Sequence, residues 1–290
     1  MKWFTAWRRR PWAGYAVVLV ALATVGVLYA DFSPRSAEAT DTKAAAADLA
    51  NGKQLFQVNC ASCHGANAQG TKDTKGNPVA PSLLGVGAAA VDFQVSTGRM
   101  PAVSPGAQIP RKDPAPSFDP KTNPAAAQNI RDLADYIASL GGGPGIPSQE
   151  QVTPTGAKVD GVNELALGGS LFRTNCAQCH NFAGQGGALT YGKYAPPLTK
   201  STKTQIYEAM MTGPQAMPVF NDKTITPAEK RAIIAYVLAT RSEPNPGGNG
   251  LGRIGPVTEG LAGWLVGIGL LVLAAMWITA KKPKKLKKSA

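Results

Sequence analysis

Two pentapeptides contain every cysteine and histidine of the chain: Cys60-Ala61-Ser62-Cys63-His64 and Cys176-Ala177-Gln178-Cys179-His180. Two thiols at this spacing can add across the two vinyl groups of one porphyrin, and the histidine that follows can then bind the iron. This order of residues is the attachment pattern of c-type haem. The sequence therefore predicts two covalently bound haem c groups. The predicted thioether residues are Cys60, Cys63, Cys176 and Cys179, and the predicted axial ligands are His64 and His180.

Other cysteine chemistry fits this pattern less well. Two disulfides would not require a histidine after each second cysteine. A structural zinc site usually joins C-x-x-C pairs about 15–20 residues apart, whereas 112 residues separate these two pairs. A thioredoxin-like redox pair needs a βαβ setting, which the sequence does not predict.

The sixth ligand of each iron must be methionine or absent, because the chain has only two histidines. Met100 lies 36 residues after His64, Met217 lies 37 residues after His180, and a proline follows each methionine. A thioether opposite histidine raises the reduction potential and closes the iron to exogenous ligands, which suits electron transfer. We therefore predict that Met100 and Met217 are the distal ligands. The alternatives for the second iron are Met210 and Met211.

The motifs belong to a long internal repeat. The segment from Leu55 to His64 realigns with Leu171 to His180 at an offset of 116 residues, and Ala80-Pro81-Ser82-Leu83 realigns with Ala195-Pro196-Pro197-Leu198 at 115. A period this long, seen twice, indicates two tandem domains rather than a solenoid. The carbonyl groups of Pro81 and Pro196 are candidates to orient the two histidines through hydrogen bonds. Ordinary turn prolines are the alternative.

Helix signals dominate both copies. Asn123-Pro124 and Thr226-Pro227-Ala228-Glu229 each predict a helix start, ahead of apolar residues at helical spacing. A further helix is predicted before each cysteine motif, ending near Asn59 and Asn175. Sustained period-two alternation is missing from the sequence, so we predict two all-α domains, at residues 45–141 and 163–242.

Composition indicates the boundaries of these domains. Gly/Pro-rich segments at residues 142–162 and 243–259 are predicted linkers. The first domain also contains a proline-rich insertion at residues 101–124, with seven prolines in 24 residues. Such a segment favours extended polyproline-like structure.

Two uncharged apolar runs, at residues 11–30 and 260–280, flank the repeat. Each has the length of about 20 residues that a helix needs to cross a bilayer. Basic segments at residues 1–10 and 281–290 lie outside them, so the positive-inside rule places both termini in the cytoplasm and the repeat on the extracytoplasmic side. The prediction is a two-pass protein of the cell membrane. The alternative is that the first run is a cleaved signal peptide, with Ala37-Glu38-Ala39 as the cleavage site.

The charge distribution argues against a nucleic-acid partner. The formal net charge is +12, but ten cations lie in the two terminal segments and leave 20 basic against 18 acidic residues elsewhere. A nucleic-acid surface would place its cations on the folded domains. The predicted environment of the basic ends is instead the lipid membrane.

The chain resembles the di-haem cytochrome c subunit of the actinobacterial quinol–cytochrome c reductase, the cytochrome bcc complex. The resemblance spans nearly the whole chain and is most specific in Phe93 to Pro101 and in Gly184 to Pro196. It implies two tandem class I cytochrome c domains between an N-terminal and a C-terminal transmembrane helix. It also implies cytochrome b and Rieske iron–sulfur subunits as partners, with electrons passing from the Rieske centre to a terminal cytochrome oxidase. The proline-rich insertion after Met100 departs from the expected pattern.

By this resemblance the chain is part of a proton-translocating oxidoreductase, although the sequence reveals no catalytic residue of its own. Two other functions remain open from the motifs. One is the cytochrome c subunit of another membrane dehydrogenase, which would share two haem domains and an anchor. The other is a di-haem peroxidase, which needs an iron open to peroxide. The predicted methionine ligands disfavour the peroxidase.

Overall fold

The structure is a computed structural model that describes residues 19–20, 23–24, 48–106, 108–243, 251–253 and 256–280. The predicted first span at residues 11–30, with its signal-peptide alternative, lies outside the described residues except for two short helical pieces at 19–20 and 23–24. Both basic ends also lie outside them. The repeat itself is described almost completely, as a first half (residues 48–140) and a second half (residues 149–243).

The first half contains four helices and one pair of short strands. In chain order these are α1 Leu49–Asn59, α2 Ala61–His64, β1 Thr71–Lys72, β2 Pro78–Ala80, α3 Ala88–Ser96 and α4 Ala126–Ser139, with a 3₁₀ turn at Pro116–Phe118. The second half repeats this order after an added helical turn and hairpin. Its elements are α5 Gln149–Val152, β3 Lys158–Val159, β4 Val162–Asn163, α6 Glu164–Asn175, α7 Ala177–His180, β5 Gly187–Ala188, β6 Tyr194–Ala195, α8 Lys203–Thr212 and α9 Pro227–Ser242, with a 3₁₀ turn at Thr190–Gly192.

Each half is built on a close crossing of its first and last long helices, α1 on α4 and α6 on α9. A Cβ atom at Gly52 would lie 2.1 Å from the Asp132 carbonyl oxygen, and one at Gly168 would lie 1.8 Å from that of Ala232. Only glycine allows the backbones to approach this closely. An aromatic pair packs beside each crossing, with ring centroids 5.8 Å apart in Phe56–Tyr136 and 5.2 Å apart in Phe172–Tyr236.

The helices predicted before the motifs end at Asn59 and Asn175, which confirms that part of the prediction. The predicted capping box at Thr226 is also confirmed, because its hydroxyl accepts from the Glu229 amide and the Glu229 carboxylate accepts from the Thr226 amide at 2.8 Å. The prediction that α4 starts at Pro124 is wrong by two residues. Asn123 accepts a hydrogen bond from the Ala125 amide at 2.9 Å, which forms a turn there, and the helix begins at Ala126.

The fold is mostly helical rather than all-α. Three two-stranded antiparallel ladders, β1–β2, β3–β4 and β5–β6, connect or precede the helices of the described repeat. Their strands are only two or three residues long, which is too short for an alternating pattern to appear in the sequence. The predicted linker at residues 142–162 is also more ordered than its composition indicates. It contains α5 and β3, and Val152 is fully buried in the core of the second half.

The chain continues through a 3₁₀ turn at Leu251–Arg253 to α10, Pro256–Thr279. This helix is the one element of the described residues that is long and apolar enough to cross a membrane. Its 24 residues span about 36 Å at 1.5 Å per residue, and a hydrocarbon core is about 30 Å thick. Its large apolar side chains are exposed, as a lipid-facing helix requires. The helix starts a turn earlier than the predicted run at residues 260–280.

Candidate haem sites

Each cysteine motif forms a single helical turn, and the first cysteine separates this turn from the longer helix before it. In the first half the Cys60 carbonyl accepts from the amides of Cys63 at 3.2 Å and His64 at 2.9 Å. In the second half the Cys176 carbonyl accepts from the corresponding amides at 3.1 and 2.9 Å. The two turns therefore hold the second cysteine and the histidine in the same relation to the first cysteine.

Both histidine rings are fixed by a backbone carbonyl. His64 Nδ1 lies 2.8 Å from the Pro81 oxygen, and His180 Nδ1 lies 3.1 Å from the Pro196 oxygen. A carbonyl can only accept, so Nδ1 carries the proton and Nε2 is left with the lone pair that a metal needs. The hydrogen bonds expected from the two prolines are confirmed, and both imidazoles are buried.

Burial sets the protonation of the site. It raises the pKa of the Cys60 thiol to about 11, with a smaller contribution from Cys63, and it raises the pKa of Cys176 to about 11 with help from Cys179. Burial also lowers the pKa of His180, against the opposing effect of the Pro196 hydrogen bond. The His180 ring is therefore neutral at neutral pH, as a metal ligand must be.

In the second half the structure brings all four predicted site residues together. Cys176, Cys179, His180 and Met217 line one cavity of about 220 Å³. Met210, an alternative ligand, lines it too, whereas Met211 packs against the neighbouring core.

In the first half, Cys60 and Met100 both pack against the hydrophobic core that contains Phe56 and Leu133. The chain reaches Met100 directly after α3, where the Met100 amide donates to the Gln94 carbonyl at 3.0 Å. This hydrogen bond therefore holds the backbone of Met100 against the last turn of α3.

Three residues of the first half unexpectedly line the cavity of the second: Phe93, Arg99 and Gln108. Gln108 is hydrogen-bonded to the Tyr194 backbone twice, donating to its carbonyl at 2.6 Å and accepting from its amide at 3.0 Å. Alignment of the repeat could not find these residues, because it pairs equivalent positions and gives no information on contacts between copies. Gly52 and Gly168 were also missed, although they share the offset of 116 residues and extending the alignment upstream would have found them.

The cavity is suited to a covalently held haem. Apolar side chains form much of its wall, including those of Phe172, Ile206 and Val237. Two thiols, an imidazole with one nitrogen already hydrogen-bonded, and a thioether supply the donor set that haem c requires.

Comparison with known proteins identifies the family. Residues 49–141 match the family "Cytochrome c", and residues 163–237 match "Cytochrome C oxidase, cbb3-type, subunit III". A cytochrome bc1 complex cytochrome c subunit from Corynebacterium efficiens is 43% identical over 281 residues, which cover 94% of this chain and 90% of that protein. The chain belongs to this family. Its counterpart from Mycobacterium tuberculosis H37Rv is 44% identical over 273 residues, covering 94% of this chain and 92% of the other.

A more distant relative is the cbb3-type cytochrome c oxidase subunit CcoP of Azospirillum, which is 25% identical over 65% of this chain and 61% of that protein. The family resemblance stated from the sequence is confirmed. Membership in a family of cytochrome c subunits, together with the two cytochrome c matches, also confirms the cofactor prediction of two covalently bound haem c groups and a role in electron transfer.

Proposed function

We propose that the chain is the electron-relaying subunit of a membrane quinol–cytochrome c reductase. It takes electrons from a Rieske iron–sulfur subunit, lies beside a cytochrome b subunit, and passes electrons to a terminal cytochrome oxidase. The observation that carries this proposal is the pair of Cys-x-x-Cys-His turns in one chain, each with a carbonyl-oriented histidine. The whole-length similarity to cytochrome bc1 complex subunits supports it.

The proposed ligands are those predicted from the sequence. Cys60 and Cys63 form the thioethers of the first haem, and Cys176 and Cys179 form those of the second. Bound haem supplies an iron that carries one electron by alternating between its ferrous and ferric states. The axial ligands we propose are His64, Met100, His180 and Met217.

The chain's own residues set the conditions for this role. The carbonyls of Pro81 and Pro196 hold the imidazole rings in one orientation. In the second half, the apolar side chains of Ile206, Phe220 and Ile233 line the same cavity as Met217, which would close the distal side of a bound haem. A methionine that closes this side favours electron transfer over peroxide chemistry.

The proposed domains are residues 45–141 and 163–242, with α10 as a membrane anchor. The lysines at residues 281–290 follow this helix, so the positive-inside rule places them in the cytoplasm and the haem domains outside. The first apolar run provides a second anchor with its end also in the cytoplasm.

Protease added to intact spheroplasts should digest the haem domains and spare a C-terminal tag. Loss of the tag would contradict this topology, and a mature protein beginning near Thr40 would show that the first run is cleaved.

The function is tested on the complex purified with its native partners. We expect iron–sulfur and b-type haem to co-purify, and two haems per chain to survive denaturation. The paired variants Cys60→Ala/Cys63→Ala and Cys176→Ala/Cys179→Ala should each leave one covalent haem. Quinol should reduce both c-type haems, and carbon monoxide should bind neither rapidly. Flavin in place of the iron–sulfur centre would indicate a dehydrogenase subunit, and rapid carbon monoxide binding would indicate a peroxidase.

A further inference from the structure

Arg99 is a buried cation of the first half that lies in the cavity of the second. Its side chain is only 7% exposed, and it shares the cavity wall with His180 and Met217. Its Nη1 atom is buried without a hydrogen-bond partner. Within the described part of the chain, Arg99 also forms no ion pair with a carboxylate. The ionised guanidinium group is therefore incompletely satisfied in the protein alone.

The position of Arg99 is fixed from both sides. Gly98 has a φ of +67°, and a Cβ there would lie 2.1 Å from the Lys112 carbonyl oxygen. The backbone at Lys112 therefore packs directly against Gly98, the residue before Arg99. The guanidinium carbon lies 5.0 Å from the centroid of the Phe93 ring, which also faces the cavity. This cation–π contact holds the charged group against a rigid helix end.

The same segment is attached to the second half. Besides the two hydrogen bonds between Gln108 and the Tyr194 backbone, Gln215 Nε2 donates to the Ile109 carbonyl at 2.8 Å. At the adjoining helix contact, Gln205 Nε2 donates to Ser96 Oγ at 2.9 Å. These bonds keep Arg99 in the wall of the second cavity.

A buried arginine that lacks a partner is costly, and its fork of N–H donors matches the geometry of a carboxylate. Arg111 interacts with Arg99 electrostatically and adds to the positive potential there. Haem c carries two carboxylates, its propionates, whereas no carboxylate among the described residues pairs with Arg99. We propose that Arg99 of the first half binds a propionate of the haem held by the second half. This inference rests on the proposed function, because it requires a haem in that cavity.

The consequence is that the first half tunes the potential of the second haem. A fixed positive charge near the iron disfavours the ferric form, which has the higher positive charge, and therefore raises the reduction potential. Replacing the charge by a neutral side chain removes this effect. It also leaves the propionate unpaired, and the negative charge of the propionate then stabilises the ferric form and lowers the potential further. The second haem of an Arg99→Gln variant should therefore be easier to oxidise.

The test is a potentiometric titration of the whole purified complex carrying Arg99→Gln. We expect the ferric-to-ferrous ratio of one c-type haem to rise about tenfold at fixed potential, which is about 59 mV for one electron. Resonance Raman spectra should show a change in the propionate bending mode. Met217→His, made separately, lowers the potential of the second haem and so identifies its component in the titration. Arg99→Lys keeps the charge, so its potential should lie between those of wild type and Arg99→Gln. This recovery would show that the shift in Arg99→Gln is not caused by misfolding.

Arg111→Gln is the matched control, since it removes the same charge close by but does not line the cavity. A clearly smaller shift in this control supports direct binding, and an equal shift would reduce Arg99 to a distant charge and overturn the proposal. A shift confined to the component that Met217→His does not move would overturn it too, because Arg99 would then serve the first haem. If Met217→His moves neither component, the proposed ligation fails and the inference fails with it.

Discussion

In the first half the buried carboxylate at the helix crossing is Asp132, on α4. It accepts hydrogen bonds from neutral donors only: the Asp48 amide at 2.9 Å and the side chains of Asn51 and Gln128 at 2.7 Å each. Burial raises its pKa, but these donors, with a smaller electrostatic contribution from Arg131, outweigh burial and the net shift is downward. The crossing is therefore stabilised by a carboxylate whose hydrogen bonds come from neutral donors.

In the second half the carboxylate is on the other helix of the crossing and has a cation as its partner. Glu164, at the start of α6, accepts from Arg231 Nε at 2.8 Å and from the amides of Thr155 at 2.9 Å and Gly156 at 2.7 Å. Burial again opposes ionisation, and the hydrogen bonds, with Arg231 foremost, lower the pKa below its usual value. The repeat has therefore kept the glycine and aromatic contacts of the crossing while its polar contacts differ.

Substitution of the glycine at either helix crossing should be strongly destabilising. Gly168→Ala places a methyl group 1.8 Å from the Ala232 oxygen, and Gly52→Ala places one 2.1 Å from the Asp132 oxygen. Since the obstacle is backbone in both cases, we expect a loss of about 3 kcal/mol in the affected half. Urea unfolding followed through haem absorbance measures it. Gly145→Ala, with no atom within 4 Å, is the control and should be neutral. Equal behaviour of all three variants would contradict the account.

The polar contacts should differ between halves in a smaller, measurable way. Glu164→Gln leaves Arg231 without its charged partner and should cost about 2 kcal/mol. Asp132→Asn loses only bonds from neutral donors and should cost about 1 kcal/mol. Because both pKa values are lowered in the fold, this stability is present above the unfolded pKa of about 4 and is lost as the pH falls through the folded pKa.

Unfolding free energies of the two variants at neutral and acidic pH test this. The difference between wild type and each variant should shrink on acidification. A larger cost for Asp132→Asn than for Glu164→Gln would refute the distinction between ionic and neutral contacts.

The contact between the halves should give an effect that depends on pH. Glu208 on α8 is fully buried, and no amide, hydroxyl or cationic group of the described residues donates to its oxygens. Burial, followed by the neighbouring Asp92 carboxyl, raises the pKa of Glu208 to about 11. The folded state therefore keeps a proton that the unfolded chain releases above about pH 4.3, and stability falls as the pH rises.

Glu208→Gln removes this dependence, so its stability relative to wild type should rise by up to about 1.4 kcal/mol per pH unit between about pH 6 and about pH 9. Thermal unfolding at the two pH values measures the gain. Glu150→Gln, an exposed position of α5, is the control and should behave as wild type. A constant difference between Glu208→Gln and wild type across this range would show that Glu208 is already ionised.

The two haem c groups could be predicted from the sequence because their attachment chemistry depends on local spacing. The positions of the helices before each motif followed from the repeat. The short ladders could not be predicted, since two residues define no alternation. The turn at Asn123 was missed because a side chain competes with the helix for the backbone amide.

The contact between halves was beyond sequence reasoning for a different reason. Arg99 precedes Met100 directly, whereas the second copy has Pro214-Gln215-Ala216 between Gly213 and Met217 and no arginine there. Comparison of the copies makes Arg99 look like an irregularity of one loop. Its position in the cavity of the other half depends on the packing of α3 against α8, which no local pattern encodes.

We propose that electrons pass through both haems in series on their way to the oxidase, and Met100→His tests this most directly. The first haem should stay covalently attached and six-coordinate while its potential falls, because histidine is a stronger donor to ferric iron than a thioether. Oxygen consumption driven by quinol in the intact complex is the measurement. We predict slower turnover although the second haem is untouched. Unchanged turnover with a lowered potential of the first haem would exclude that haem from the path.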